Sequence, residues 1–533
     1  MHNQLINKAN LEFLYLSTNI KNKIIKRLFM MCLYNLKKTI GFATFLLLTS
    51  LSNAQAQDMS IDNILKHRNA AHLLYIDHNG ALLNPWDAGP NKSHISKQDE
   101  ATYIDHILDE ILAESASAQC KDKFTLTIFI HGGLNFLRDA NERPDQFIKT
   151  MLKECHYPVF ISWNSGAYTN YSDHLFRIRK GESNPAKAIP SIPIVLAQDL
   201  TRSVLKAPSA YLREIKKASS VRKLYTQEVQ QAYPKLIGRL KATGLNIHQP
   251  ELIHQSIQVD PLLPVKIITK TVTTPIIDGF GKGAWDSMLR RTDLIFTSPY
   301  SINQLLTQEL QPQHSLKQGH HFETAIAKFF RALSSSPALA IAQQNLASVH
   351  TTDQNTKDQK LAAIQINLIG HSMGTLVVNQ ALSKYPDLNI KNIVYMGAAA
   401  PLRSLESTIA PWLQHHPNTH FYSLSLDPYN ELSEQSGQGL LPRGSLLNWI
   451  DNIFSDIHSV KDRTVGSWIN IIMLADDMFA PSPYLRERIH LTKFHVHTSQ
   501  GMDVGPQQHG EFDNYAFWRE EYWTGQELER LVK

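Results

Sequence analysis

Residues 366–374 read Ile-Asn-Leu-Ile-Gly-His-Ser-Met-Gly, and the rest of the chain is interpreted from this stretch. A mostly apolar run ends at Gly370, and a helix-like segment follows Gly374. Strand, tight turn and helix form the context that a G-x-S-x-G nucleophile elbow requires. The two glycines leave room for the sharp turn, so Ser372 is expected to be exposed on strained backbone near a helix N-terminus. There backbone N–H groups are suited to stabilising an oxyanion.

A second glycine motif follows an apolar segment earlier in the chain. Residues 124–130 predict a buried parallel strand, which is followed by His131-Gly132-Gly133-Leu134. Glycines there let backbone amides face a ligand with no side chain in between. Together the two motifs resemble the α/β-hydrolase family, and its esterase and lipase members in particular. The resemblance implies an oxyanion hole made by the N–H groups of Gly133 or Leu134 together with Met373.

The same resemblance implies a catalytic triad whose members occur in the order Ser, Asp or Glu, and His. Ser372, Asp427 and His509 occur in this order: Asp427 follows a predicted strand at 420–426, and His509 lies beyond the predicted last strand at 491–496. By this analogy Ser372 attacks an acyl carbon and His509 moves the proton. Asp427 would then orient the imidazole and stabilise its charge.

Other residues compete for two of these roles. Asp503 lies on the same loop as the candidate base, and Glu431 follows Asp427 closely. Placement at a strand end favours Asp427, because a rigid element holds a carboxylate better than a Gly-rich loop does. His495 and His497 are weaker candidates for the base, since they lie on or beside the last strand.

Composition and charge narrow the class of protein. The chain has 533 residues, 43% of them hydrophobic and 19% charged, which is typical of globular proteins. Its formal net charge is +5, but residues 1–56 contain seven Lys and Arg against one Glu, so the remainder carries −1. This balance argues against a nucleic-acid partner. The pairs His320-His321 and His415-His416 lack a metal-binding spacing such as H-E-x-x-H, so we predict neither a catalytic metal nor a cofactor.

The basic start of the chain has the pattern of an export signal. Lys37-Lys38 precede an apolar run at 40–51, and Ala54-Gln55-Ala56 follows it. This pattern predicts a secretory signal peptide cleaved after Ala56, and hence a secreted or periplasmic protein. An uncleaved membrane anchor is the alternative interpretation. Translation from Met30 or Met31 would still leave a complete signal.

Cleavage at that site leaves two cysteines, Cys120 and Cys155. An oxidising compartment allows them to form a disulfide. Each precedes a predicted strand, at 124–130 and 158–163, and these strands are parallel neighbours in the fold that the resemblance implies. We therefore expect both cysteines at the sheet edge opposite the active site.

The pattern predicts four segments. They are an N-terminal extension with the signal peptide (1–56), a first core part (57–163), a large and mainly helical inserted cap (164–360) and a second core part (361–533). In the cap, helices are predicted at 195–206, 210–233, 235–242, 301–310 and 324–333, with Pro275 as a breaker and a flexible turn at 279–283. A closing helix is predicted at about 514–531.

The prediction is thus an α/β-hydrolase fold with a mostly parallel central sheet flanked by helices. The predicted protein is an exported serine hydrolase that cleaves carboxylic esters, including lipid esters, through an acyl-enzyme intermediate. A lipid substrate would bring the cap into transient contact with a lipid surface. Two alternatives stay open: an acyltransferase that uses the same triad, and a non-catalytic binding protein on a hydrolase fold.

Overall fold

The computed structural model describes residues 60–77, 80–87, 93–133, 147–163, 165–176, 189–223, 227–248, 263–297, 323–334, 360, 363–435, 441–479, 483–494 and 505–526. All of them belong to one unit, residues 59–533. The predicted signal peptide lies outside the described residues, as does the predicted helix at 301–310.

The strands of the described residues are β1 Leu73–Ile76, β2 Thr125–Ile130, β3 His156–Trp163, β4 Asn246–His248, β5 Ile366–His371, β6 Ile390–Met396, β7 His420–Ser425 and β8 Ile489–Lys493. The α-helices are α1 Ile61–Leu65, α2 Lys97–Ser115, α3 Ala167–Phe176, α4 Ile192–Lys223, α5 Gln227–Ala242, α6 Leu263–Leu294, α7 Ala325–Leu333, α8 Gly374–Lys384, α9 Ala410–His415, α10 Pro428–Ser433, α11 Leu446–Trp449, α12 Trp468–Phe479, α13 Pro483–Arg486 and α14 Glu520–Trp523. Residues 147–153 are also helical, and short 3-10 or π segments lie at Ala70–His72, Ile189–Ser191, Leu405–Ile409, Ile450–Phe454, Val460–Asp462 and His509–Asn514.

The strands form one sheet in the order β1-β3-β2-β5-β6-β7-β8-β4, and every pairing among them is parallel. The prediction of a mostly parallel sheet flanked by helices is confirmed. Parallel strands end at the same edge of a sheet, so the residues that follow β2, β5, β7 and β8 are brought together there. This edge holds the site described below.

The sheet is buried on both faces, which explains why its strands read as continuous apolar runs. In β2, Leu126, Ile128 and Ile130 face one apolar cluster, while Phe129 faces a second cluster on the other side. Burial of each such side chain contributes about 1.5–3 kcal/mol to folding. The second cluster includes aromatic residues from the C-terminal segment, among them Phe517.

The segment between β3 and β5 is mainly helical where it is described, and it contains α3 to α7 together with β4. The short strand β4 pairs with β8 and extends the central sheet, so this segment contributes to the core as well. The predicted helix at 324–333 corresponds to α7, with Thr324 as its N-cap. The division of the chain into core and cap remains a prediction.

The predicted turn at 279–283 is wrong, because these residues lie within α6, and so does Pro275. The glycines allow close helix packing instead. A Cβ on Gly279 would overlap Ser203 Oγ of α4, and one on Gly283 would lie 2.6 Å from the His174 ring of α3. Small residues at a contact let two helices approach closely, so here glycine marks packing and not a break.

The predicted closing helix at 514–531 is replaced, within the described residues, by a 3-10 turn ending at Asn514 and by the short helix α14. Two aromatic residues of α14 are buried and donate to main-chain carbonyls: Trp523 Nε1 donates to the Phe517 oxygen at 2.6 Å, and Tyr522 Oη to the Phe512 oxygen at 2.9 Å. Packing of these side chains against the sheet overrides the local helical pattern.

Cys120 and Cys155 form a disulfide, with their Cα atoms 5.3 Å apart. They precede β2 and β3, which pair in parallel, so the bridge lies at the amino-terminal edge of the sheet. The predicted pairing is confirmed. Within the residues that the structure describes, we find no helix with the length and apolar character needed to span a membrane.

Candidate active site

Ser372 lies at the sharp turn between β5 and α8, with a backbone φ of +51°. This is left-handed backbone, which a residue with a side chain adopts only when its surroundings hold it there. Its N–H donates to the Met396 carbonyl at 2.8 Å, and its carbonyl accepts from Ala399 N at 3.0 Å. A Cβ on Gly374 would overlap the Ile130 carbonyl oxygen, so only glycine fits beside this turn. The strained elbow that the motif predicts is present.

The hydroxyl of Ser372 is 2.9 Å from Nε2 of His509, although the two residues are far apart in sequence. Gly397 makes room for the imidazole: its φ is +50°, and a Cβ there would lie 3.0 Å from Cε1 of His509. A serine hydroxyl that donates to a neutral imidazole can pass its proton to the ring as it attacks an electrophile.

His509 is held through both of its backbone groups. Its carbonyl accepts a hydrogen bond from Nε2 of His371 at 2.9 Å. Its N–H donates to Oε2 of Glu434 at 3.0 Å. Asn430 Nδ2 donates to Gln507 Oε1 at 2.9 Å, which adds a second link between the α10 segment and the histidine loop. The elbow and the α10 segment therefore position the imidazole from two sides.

Burial, with a smaller contribution from His371, lowers the pKa of His509 to about 3. The ring is therefore neutral at ordinary pH. Because Nε2 accepts from the serine, Nδ1 carries the proton in this tautomer. Nδ1 has no hydrogen-bond partner among the described residues. Among the described residues, therefore, no carboxylate accepts a hydrogen bond from the ring.

Asp427 is close to the end of β7, as predicted, but its carboxylate is bonded elsewhere. Oδ2 accepts from Nζ of Lys493 at 2.7 Å, and Oδ1 accepts from Tyr429 N at 2.8 Å. Both members of the ion pair are buried. Nζ of Lys493 also lies 5.6 Å from the ring centroid of Tyr233 on α5. The structure therefore brings Asp427 to Lys493 and not to His509.

The two competing acids have different positions. Glu431 is buried and accepts from the Ser445 hydroxyl, and burial raises its pKa to about 8. Asp503 lies outside the described residues, as do His495 and His497.

The glycine motif after β2 lies against the elbow. A Cβ on Gly132 would be 2.7 Å from Cβ of Ser372, and one on Gly133 would be 2.8 Å from Sδ of Met373. His131 orients this loop: its Nε2 accepts from Trp163 N at 3.0 Å, and its Nδ1 donates to the Gly132 carbonyl at 2.6 Å. Leu134 lies outside the described residues.

The expectation that Ser372 is exposed is wrong for this conformation, since its exposed fraction is 1%. The segment between β3 and β5 approaches the glycine motif beside this covered serine. Met288 of α6 reaches the glycine motif, with Sδ 3.5 Å from where a Cβ of Gly133 would be. A substrate can reach the hydroxyl only after some of this covering moves.

Sequence reasoning missed three residues that contact the site: Lys493, Glu434 and Tyr233. Each is bonded or packed to a residue far away in the chain, and no local pattern marks it. A lysine at the end of a buried strand was the one available signal, because a buried ammonium needs a partner. In the described part of the chain, no three His, Cys, Asp or Glu side chains are grouped as metal ligands.

Comparison with known proteins gives one match. A family model described as the alpha/beta hydrolase fold matches residues 355–465, which include the elbow, β5, β6 and β7. No curated protein and no solved structure matches the chain. Together with the parallel sheet, this match places the chain in an α/β-hydrolase family, whose members are generally hydrolytic enzymes.

Proposed function

We propose that this protein is an exported serine hydrolase that cleaves carboxylic esters through an acyl-enzyme intermediate. The observation that carries the proposal is the 2.9 Å contact between Ser372 Oγ and His509 Nε2, made by a serine on left-handed backbone. A structural serine has no need of strained backbone or of a buried, neutral imidazole beside it.

In the proposed reaction, Ser372 Oγ attacks the ester carbon while its proton moves to Nε2 of His509. The carbonyl oxygen becomes an oxyanion, which backbone N–H groups of Met373 and of Gly133 or Leu134 stabilise. His509 then returns the proton to the leaving alcohol, and an acyl-serine remains. Water attacks this ester by the same steps in reverse order and releases the acid.

Asp427 remains our proposal for the acid that orients His509. A carboxylate has about four lone-pair sites, so the bonds to Lys493 and Tyr429 leave capacity for the Nδ1 proton. That bond requires the carboxylate and the imidazole to come closer together than they are in this conformation. The segment 164–360 is proposed as a cap that controls which esters enter, supported by the contact of Met288 with the glycine motif.

The disulfide is compatible with an oxidising compartment, which supports the proposal of export. The mass of the exported protein would test cleavage after Ala56, and retention of residues 40–51 would mean an anchor.

A fluorophosphonate probe tests the chemistry, since it labels a serine only when a base activates it. We expect labelling of the wild-type protein and none of Ser372→Ala, with unchanged circular dichroism. We also expect hydrolysis of p-nitrophenyl esters to fall by several orders of magnitude in that variant. Labelling that persists in Ser372→Ala would overturn the assignment. Transfer of the acyl group to an added alcohol in preference to water would identify a transferase.

A further inference from the structure

The helix α4 has an apolar side that faces solvent. Its exposed apolar side chains are Ile194, Val204, Leu205, Tyr211 and Leu212, whose exposed fractions are 61%, 70%, 73%, 44% and 56%. Ile194 and Leu212 are about five helical turns apart and so point in the same direction. We call this group the α4 stripe.

The opposite side of α4 is buried on α6. Asp199, Ser203 and Ala210 are buried there, and Ser203 packs at Gly279. A surface helix normally turns its apolar side to the core and its polar side to water. Here the apolar side chains of the α4 stripe face water while Asp199 and Ser203 are buried, so the stripe is not explained by packing within the described residues. A group of exposed apolar side chains on one side of a helix is typical of an interaction site.

The charges of α4 indicate what covers the stripe. The helix contains seven Lys and Arg against two acids. The acids are already engaged: Asp199 accepts from the Tyr171 hydroxyl at 2.9 Å, and Glu214 accepts from Arg443 N at 3.2 Å. Arg202 and Arg213 share the single carboxylate of Asp278, which leaves a positive surplus.

Lys206 and Lys216 are exposed and lie along one flank of the α4 stripe. Long basic side chains beside an apolar stripe can keep their ammonium groups at lipid headgroups while the stripe enters the acyl boundary. A second copy of this chain would meet the stripe with the same positive flank, so like charges oppose self-association.

We propose that the α4 stripe is a docking surface for anionic lipid, on which α4 lies parallel to the membrane plane. The helix contributes apolar area from the stripe and electrostatic attraction from its basic flank. The proposal does not depend on the chemistry at Ser372, because binding is measured without turnover.

Co-sedimentation with vesicles tests the proposal. The assay uses the chain that begins at Gln57, since residues 59–533 form a unit of their own and the apolar run at 40–51 would bind lipid by itself. We expect binding to phosphatidylcholine vesicles that contain phosphatidylglycerol, and little binding to phosphatidylcholine alone. The double variant Leu205→Glu/Leu212→Glu should weaken this binding by about tenfold or more.

Matched controls separate the stripe from general apolar exposure. Met473 and Tyr484 are 63% and 65% exposed and lie outside α4, so Met473→Glu/Tyr484→Glu should bind as the wild type does. Lys206→Gln/Lys216→Gln should weaken binding and reduce its dependence on salt. All variants should keep the wild-type circular dichroism spectrum and the wild-type fluorophosphonate labelling.

Four results would overturn the proposal: no binding to anionic vesicles, equal binding to both vesicle types, equal binding by the stripe variant, or equal loss in the Met473 and Tyr484 control. A wild-type dimer in size-exclusion chromatography that Leu205→Glu/Leu212→Glu converts to monomer would assign the stripe to a second copy instead.

Discussion

Asp427 and Lys493 form a buried ion pair, with 2.7 Å between Oδ2 and Nζ. The pair joins the end of β8 to the residue that caps α10, since Asp427 is the N-cap of that helix. It stands beside the candidate site, yet His509 has a neutral ring whose Nδ1 is without a hydrogen-bond partner among the described residues. The carboxylate is thus bonded to Lys493 and not to the imidazole that it is proposed to orient.

The first prediction ranks the candidate acids. We expect Asp427→Asn to lower kcat by about 10⁴-fold, because the change removes the charge that selects the productive tautomer of the imidazole. We expect Asp503→Asn to change kcat little. The reason is that imidazolium is costly in a site that lowers the pKa of His509 to about 3, unless a carboxylate joins it. Ester hydrolysis by both variants, with folding checked by circular dichroism, measures this. The reverse ranking would assign the role to Asp503.

The second prediction concerns Lys493. Lys493→Met leaves the carboxylate of Asp427 buried without its cation, which typically costs about 3–5 kcal/mol of unfolding free energy. We expect the free energy of unfolding, measured by urea denaturation, to fall by this amount. The double variant Lys493→Met/Asp427→Asn removes the unpaired charge and should recover part of the loss. A Lys493→Met protein as stable as the wild type would show that the pair does not hold the two segments together.

The third prediction concerns Glu434, which accepts the hydrogen bond from His509 N. Glu434→Gln keeps an oxygen in this position, whereas Glu434→Leu removes it. We expect the Gln variant to keep nearly the wild-type kcat and the Leu variant to lose about tenfold or more, with little change in KM, because misplacement of a base affects the chemical step.

Burial raises the pKa of Glu434 to about 7, so the comparison is made at pH 8, where the wild-type side chain is ionised. Equal loss in the two Glu434 variants would mean that the charge matters and not the hydrogen bond. No loss in either variant would remove Glu434 from the set of residues that position His509.

The fourth prediction is a pH dependence of stability caused by Glu431. Its pKa is raised from 4.5 to about 8, chiefly by burial. Between these values the folded chain keeps a proton that the unfolded chain has released, so the free energy of unfolding falls as pH rises. The slope from this one group is up to about 1.4 kcal/mol per pH unit.

Glu431→Gln removes this titration and can still accept from the Ser445 hydroxyl. We expect its urea-unfolding free energy to vary less than that of the wild type between pH 5 and pH 8, and to be the higher of the two at pH 8. Parallel profiles for the two proteins would show that Glu431 does not keep a proton in the folded state.

Local patterns predicted several elements well because neighbouring residues determine them. Residues 366–374 contain the apolar run, the turn glycines and the following helix, so the elbow could be recognised without knowledge of any distant contact. The helix predicted at 324–333 likewise corresponds to α7. The prediction at 279–283 failed because those glycines are required by the helix packed against them.

For this chain, sequence was enough for the fold class, the disulfide and the strained serine, since each rests on short motifs, on apolar runs or on the strand order that the family resemblance implies. Tertiary structure alone decided the partners of the charged groups. Lys493 meets Asp427, and Glu434 meets the backbone of His509, across long separations in the chain. The physical reason is that a buried charge or N–H needs a bonding partner, and the folded core determines which group lies close enough. That partner is distant in sequence, so no local pattern predicts it.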